Sequence, residues 1–204
     1  MVHSKAVSER EAFGKRLQEV LRDLSERYAG SVYAPLVQSK GIDELSGIIQ
    51  RGEVIPSILF DLAIALYPSE FRFGVARGEV APLSKVATEA DGEAFHRAAR
   101  ALELAEKERR YFKMDGVASR GAEIVQLLVH QSLSRIFSWP AATARAAREK
   151  WEHPELKNDE LAARFEVSPQ AISKKLRRSC LDELRESRRV LGGWFGTLSS
   201  SPSV

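Results

Sequence analysis

The chain has 204 residues, 44% of them hydrophobic and 29% charged, with a formal net charge of +3 and a pI of about 9.1. This is the composition of a soluble globular protein with room for one large domain or two small ones, and the basic excess is too small to argue nucleic-acid binding by itself. The lone Cys180 excludes an internal disulfide framework, no apolar run could span a bilayer and the N-terminus has no apolar leader core, so a cytoplasmic protein is expected.

Phe13, Leu17, Val20, Leu21, Leu24 and Tyr28 recur at helical spacing and predict an amphipathic helix from Ser8 to Tyr28, ended by Ala29-Gly30. Val32 to Val37 reads as a strand, with Glu44 to Gln50 returning as its hairpin partner. Pro56 suits the first turn of a helix running to Leu66, and Pro68 stops it. Phe71 to Val80 is strand-like, with Gly74 and Gly78 as turn residues. Asp91-Gly92 introduces a helix from Glu93 to about Glu108, and Tyr111 to Met114 is a short strand closed by Asp115-Gly116. From Ala122 to Leu191 the pattern is helical throughout, broken at Trp139-Pro140 and His153-Pro154. The expected fold is α+β: an α/β layer domain over 1–117, a connecting helix over 118–138, an all-α domain over 139–191, and a mobile Gly/Ser-rich tail over 192–204.

The segment 158–178 is the most specific. Leu161 and Phe165 share one helix face, and Ala162 and Ala163 let a crossing helix come close. After a three-residue turn holding Val167, Ser168 is a good N-cap and Pro169 falls at the first helical position. Ile172 and Leu176 point inward, while Gln170, Ser173, Lys174 and Arg177 lie on the opposite face. That is the layout of a DNA-reading helix-turn-helix, in which Gln can read adenine and Lys or Arg can read guanine or hold phosphate. Ser168, Gln170, Ser173, Lys174, Lys175, Arg177 and Arg178 are the candidate DNA contacts. A plain αα-hairpin with a solvated basic face has the same spacing and remains the alternative.

Elsewhere the chemistry is sparser. Asp43 and Glu44 are turn formers or ligands, and Arg77-Gly78 is a bulge or an approach to phosphate. Arg100 stands beside His96 and Arg97 on the third helix. His3, His96, His130 and His153 lack metal-ligand spacing, and neither a P-loop nor a G-x-S-x-G motif is present. No catalytic residue, metal or cofactor is assigned.

Gly41-Ile42-Asp43-Glu44-Leu45-Ser46-Gly47, Phe71 to Val80, and Asp91-Gly92-Glu93-Ala94-Phe95-His96-Arg97-Ala98-Ala99-Arg100 follow in an order that resembles the SatD family of bacterial proteins. A C-terminal helix-turn-helix is similar to that family too. Arg72 to Val80 and Ala98 to Leu102 also look like a distant class III nucleotidyl cyclase domain. The resemblance implies a ferredoxin-like βαββαβ core, with Asp43, Glu44, Arg77, Gly78 and Arg100 as its possible ligand contacts. The chain begins Met1-Val2-His3-Ser4-Lys5, where that fold has its first strand and metal-binding Asp, so a truncated first strand and no cyclase activity are expected.

Together these features predict a homodimeric regulator that binds double-stranded DNA. Its N-terminal domain would serve as a sensor or dimerisation unit, with a nucleotide as possible effector, and the apolar face of Ala122 to Phe137 would form part of the dimer contact. A metal-dependent nucleotidyl cyclase or transferase, and a protein-interaction module without DNA binding, are the alternatives.

Overall fold

The computed structural model describes residues 2–40, 44–80, 92–118 and 121–199. The first helix, α1 (Val2–Arg27), begins six residues earlier than its apolar spacing predicts. Its buried Leu17, Leu21 and Leu24 pack with Ile58, Leu62 and Leu66. Strands β1 (Val32–Lys40) and β2 (Glu44–Ile49) form the expected antiparallel pair, with register shifts between Val32 and Lys40. Leu36 and Leu45 from this hairpin close the cluster around α1.

A 3-10 turn, Gly52–Val54, leads into α2 (Ile55–Ala65), where Pro56 occupies the first turn. Nine residues of α2 are buried, from Ile55 and Pro56 through Ile58 to Ile64. A helix that is apolar all round belongs at the centre of a molecule. One face of α2 meets α1, and the other carries Leu59, Phe60 and Ala63 into the main core.

Asp61 is the polar exception in this helix. Its carboxylate is 5% exposed and accepts from Arg27 Nη1 at 2.8 Å, Tyr28 Oη at 2.9 Å and Trp151 Nε1 at 2.7 Å. Three donors from two other helical regions thus satisfy one buried charge. Burial and the adjacent Asp61 carboxylate push the Tyr28 phenol up to about 12.

Strand β3 (Phe73–Ala76), helix α3 (Glu93–Lys107) and strand β4 (Phe112–Asp115) form a crossover unit with β3 parallel to β4. The strand expected over Phe71 to Val80 is shorter because β4 offers only four partners, Phe112 to Asp115. Gly74 lies within β3 rather than at a turn. Among the described residues the four strands make two separate pairs, β1 with β2 and β3 with β4, instead of the single sheet of a ferredoxin-like core. The α+β class stands. Gly41, Ile42, Asp43 and Asp91, expected at turns, and the tail end 200–204 lie outside the described residues.

The C-terminal part is helical: α4 (Ala122–Phe137), α5 (Ala141–Glu152), α6 (Asn158–Arg164), α7 (Pro169–Ser179) and α8 (Leu181–Ser199). The main core draws on both sides of the boundary expected after residue 117. It joins Phe60 and Phe112 to Val129, Leu133, Ile136, Trp139, Leu184, Leu191 and Phe195.

The segment 192–199, expected to be a mobile tail, is instead the last part of α8. Leu191, Phe195 and Leu198 recur at helical spacing and pack on the core. Phe195 meets Phe112 edge-on at 6.4 Å. The glycine that suggested looseness has a packing role: a Cβ on Gly192 would lie 2.9 Å from the Glu53 carbonyl oxygen. No described helix is long and apolar enough to cross a membrane.

One contact in this core depends on protonation. The Tyr111 backbone N–H donates to Nδ1 of His130 at 3.1 Å, and the two rings stack at 5.6 Å. Burial, then nearby Arg110, lowers the His130 pKa. The neutral ring is therefore the native form, and the unfolded chain binds the proton more readily. Stability is full above the ordinary histidine pKa and falls as pH drops through that value to the lowered one. His130→Asn, which keeps an acceptor near the Nδ1 position, is expected to flatten that decline in urea melts at successive pH values. An unchanged slope would remove His130 as its cause.

Candidate nucleic-acid interface

Helices α5, α6 and α7 enclose a small core of their own: Ala146, Leu161, Ala162 and Ile172 buried, with Leu156, Phe165, Val167 and Leu176 packed around them. The small side chains Ala146 and Ala162 stand at the centre, which allows close helix approach. The entry to α6 is fixed by the Glu160 carboxylate accepting from the Lys157 N–H at 2.6 Å. This is half of a capping box, since a lysine at the cap has no acceptor to complete it.

Four residues, Phe165 to Ser168, separate α6 from α7. Val167 N–H bonds to the Ala162 carbonyl at 3.0 Å and Glu166 N–H to the Ala163 carbonyl at 3.3 Å. These are the two bonds of a Schellman stop, with Glu166 in the left-handed region at φ 52°. Glycine is at ease in that conformation and glutamate is strained. Glu166→Gly is therefore expected to stabilise the fold by roughly 0.5–1 kcal/mol, read as a higher thermal midpoint. A lower midpoint would mean that the glutamate side chain contributes more than its backbone strain costs.

Helix α7 begins as its sequence predicts. Ser168 Oγ accepts from Ala171 N–H at 3.2 Å, and Pro169 follows at the first position. Ile172 is fully buried. Gln170, Lys174, Arg177 and Arg178 are exposed, and Lys175 is half-buried. Ser173 departs from the expected outward face: it is half-buried, and its hydroxyl accepts from Asn158 Nδ2 of α6 at 3.0 Å.

The cations of α7 differ from their neighbours in one respect. Arg148 pairs with Glu152, Arg164 with Glu149, Arg185 with Asp182 and Arg189 with Glu186. Arg145 lies over the Phe165 ring and Arg188 over the Trp151 ring. Among the described residues Lys174, Lys175, Arg177 and Arg178 have no acidic partner. An unpaired, solvated cation keeps its charge available to an incoming phosphate, whereas a paired one must first give up its carboxylate.

Two further residues hold α7 in place. Trp139 Nε1 donates to the Ser179 carbonyl at 3.1 Å in a buried contact, and Tyr67 Oη donates to the Trp139 carbonyl at 2.5 Å. The end of α7 is thereby tied to the segment following α2. The breaker Trp139-Pro140 signalled a helix boundary in the sequence. Nothing in it signalled that the indole would cap a helix forty residues on.

The second group of candidates sits at the carboxyl ends of β3 and β4. Asp115, read as a turn residue, accepts from Arg100 Nη2 and, at 3.2 Å, from Arg100 Nε; its other oxygen accepts from Gly116 N–H at 2.6 Å. The Arg100 guanidinium and the Gly116 amide hold the Asp115 carboxyl below its ordinary value. Arg77 N–H bonds to the Asp115 carbonyl at 3.1 Å. Gly116, at φ 76°, leaves no room for a Cβ against the Arg77 carbonyl. Gly78 faces Ala94 at the start of α3. The fold thus brings the Arg100 side chain and the Arg77 backbone to Asp115, while Gly78 packs against Ala94 instead. Glu44 opens β2 and accepts from the Ser39 hydroxyl at 3.2 Å, in the other strand pair. Among the described residues no cluster of histidine, cysteine, aspartate and glutamate could hold a metal ion.

No curated protein and no solved structure matches the chain. The family model of the SatD family matches residues 1–138, which run from α1 through α4 and include both strand pairs. Helices α5 to α8 lie outside the match, so the reading of α7 stands on its own residues. With more than half its length matched, the chain belongs to the SatD family.

Proposed function

We propose that this protein is a DNA-binding transcriptional regulator that lays α7 in the major groove. The observation that carries the reading is the face of α7: Gln170, Lys174, Arg177 and Arg178 are exposed, while Ile172 anchors the opposite side. In this reading α6 and α7 are a helix-turn-helix, and Gln170 near the N-terminal end of α7 is placed for base contact. Lys174, Lys175, Arg177 and Arg178 contact phosphates and guanine edges. Ser168 and Ser173 have structural partners, so their part is to position the helix.

The SatD-matched part serves as sensor or dimerisation unit, coupled to α7 through Tyr67 and Trp139. A nucleotide effector at this end of β3 and β4 would have to draw Arg100 away from Asp115 before its phosphate could use that guanidinium. No catalytic step is assigned.

Selection of bound fragments from a genomic library at low and high salt tests the reading. A discrete site with inverted repeats is the expected product. Binding that is salt-labile without sequence preference would leave a non-specific DNA binder, and no binding at all would remove DNA as the partner.

A further inference from the structure

We infer that the outer face of α4 is the surface on which two copies of this chain pair, antiparallel about a two-fold axis. The apolar face expected along α4 divides in two. Val125, Val129, Leu133 and Ile136 are spent in the core. Ile124 and Leu127 remain 70% and 50% exposed. With Leu128 and Gln131 they form a stripe at i, i+3, i+4 and i+7. The stripe runs on into a groove of about 480 Å³ between α4 and α8, lined by Leu128, Gln131 and Arg135 on one wall and Glu183, Leu184 and Ser187 on the other. Contiguous exposed apolar surface of this kind marks a contact site.

The charges at the two ends of the stripe select the occupant. Exposed Glu123 stands in the first turn of α4 and exposed Arg135 in the last. Neither has an ion-pair partner among the described residues. Twelve positions place them about 18 Å apart along the helix. An antiparallel second copy brings Glu123 of each chain against Arg135 of the other, and the two-fold repeats the pair. Leu127 and Leu128 of both copies then flank the axis. A parallel copy would set like charges together, and antiparallel helix dipoles favour the same choice. A helix bearing one sign of charge would match only one end of the stripe.

Sedimentation velocity over a concentration series, without DNA, tests the pairing independently of the DNA reading. The full chain is expected to be a dimer at micromolar concentration, and Leu127→Glu a folded monomer with an unchanged circular-dichroism melt. Arg135→Glu, a change at an exposed position, is expected to weaken the dimer about tenfold, because symmetry repeats the lost pair. Adding Glu123→Arg to that variant is expected to restore it. A monomer at every concentration, a dimer that survives Leu127→Glu, or a charge reversal without rescue would each overturn the proposal.

Discussion

Asp61→Ala is expected to remove about 3–5 kcal/mol of stability, the usual result of breaking a buried charged network by taking away one partner. The carboxylate is the shared acceptor of Arg27, Tyr28 and Trp151. Its loss leaves the Tyr28 hydroxyl and the Trp151 indole N–H without their partner in a desolvated place. Arg27, whose side chain is 54% exposed, can return to water and adds little. For a chain of this length each kcal/mol shifts the thermal midpoint by roughly 2–4 °C, so a fall on the order of 10 °C is expected. Trp151→Phe provides the comparison. It removes one donor and leaves Asp61 with two, so a loss of roughly 1–2 kcal/mol is expected. Urea unfolding of both variants checks the assignment. A loss below about 1 kcal/mol for Asp61→Ala would show that the three contacts do not support the packing of α1 and α5 on α2.

The second large effect concerns binding. Lys174→Ala and Arg177→Ala are each expected to weaken specific DNA binding by about 1–3 kcal/mol if the side chain reaches a base. A residue that holds only phosphate would instead lower affinity evenly across sequences and reduce the salt slope by about one counterion. Fluorescence anisotropy at several salt concentrations separates the two cases. Both side chains are exposed and neither has an ion-pair partner among the described residues. The thermal midpoint should therefore hold to within about 0.5 kcal/mol equivalent. Unchanged affinity in both variants would rule out α7 as the reading helix. The plain αα-hairpin would then be the better description of 158–179.

The elements legible in the sequence were those whose signals are local. Ser168-Pro169 states where α7 begins because a cap and a restricted φ act within one turn. The helical spacing of apolar residues in α1 tells that Leu17, Leu21 and Leu24 face inward for the same reason. The tail was misread by the same local logic. Gly192-Gly193 and the serines suggested looseness, yet Leu191 and Phe195 carry that segment into the core. Only the position of the 3-10 turn at Glu53 explains why a glycine stands at 192.

The candidate sites divide similarly. The exposed cations of α7 could be read from spacing alone. That Lys174 and Arg177 have no acidic partner among the described residues while Arg164 and Arg185 have one depends on which helices meet. Asp115 looked like a turn residue because its neighbour is Gly116. It became the acceptor for Arg100 once the crossover of α3 brought residues fifteen apart together.

The sequence by itself determined the secondary structure of most of the chain, the cap and turn of 158–169 and the family of residues 1–138. Those properties follow from backbone preference and from periodicity within a few turns. Tertiary structure alone decided that β3 and β4 pair apart from β1 and β2 rather than in one sheet. It also decided the three donors around Asp61, the indole cap on Ser179 and the outward exposure of Ile124 and Leu127. Each of these depends on which distant surfaces come into contact, and local spacing carries no record of the partner across the core.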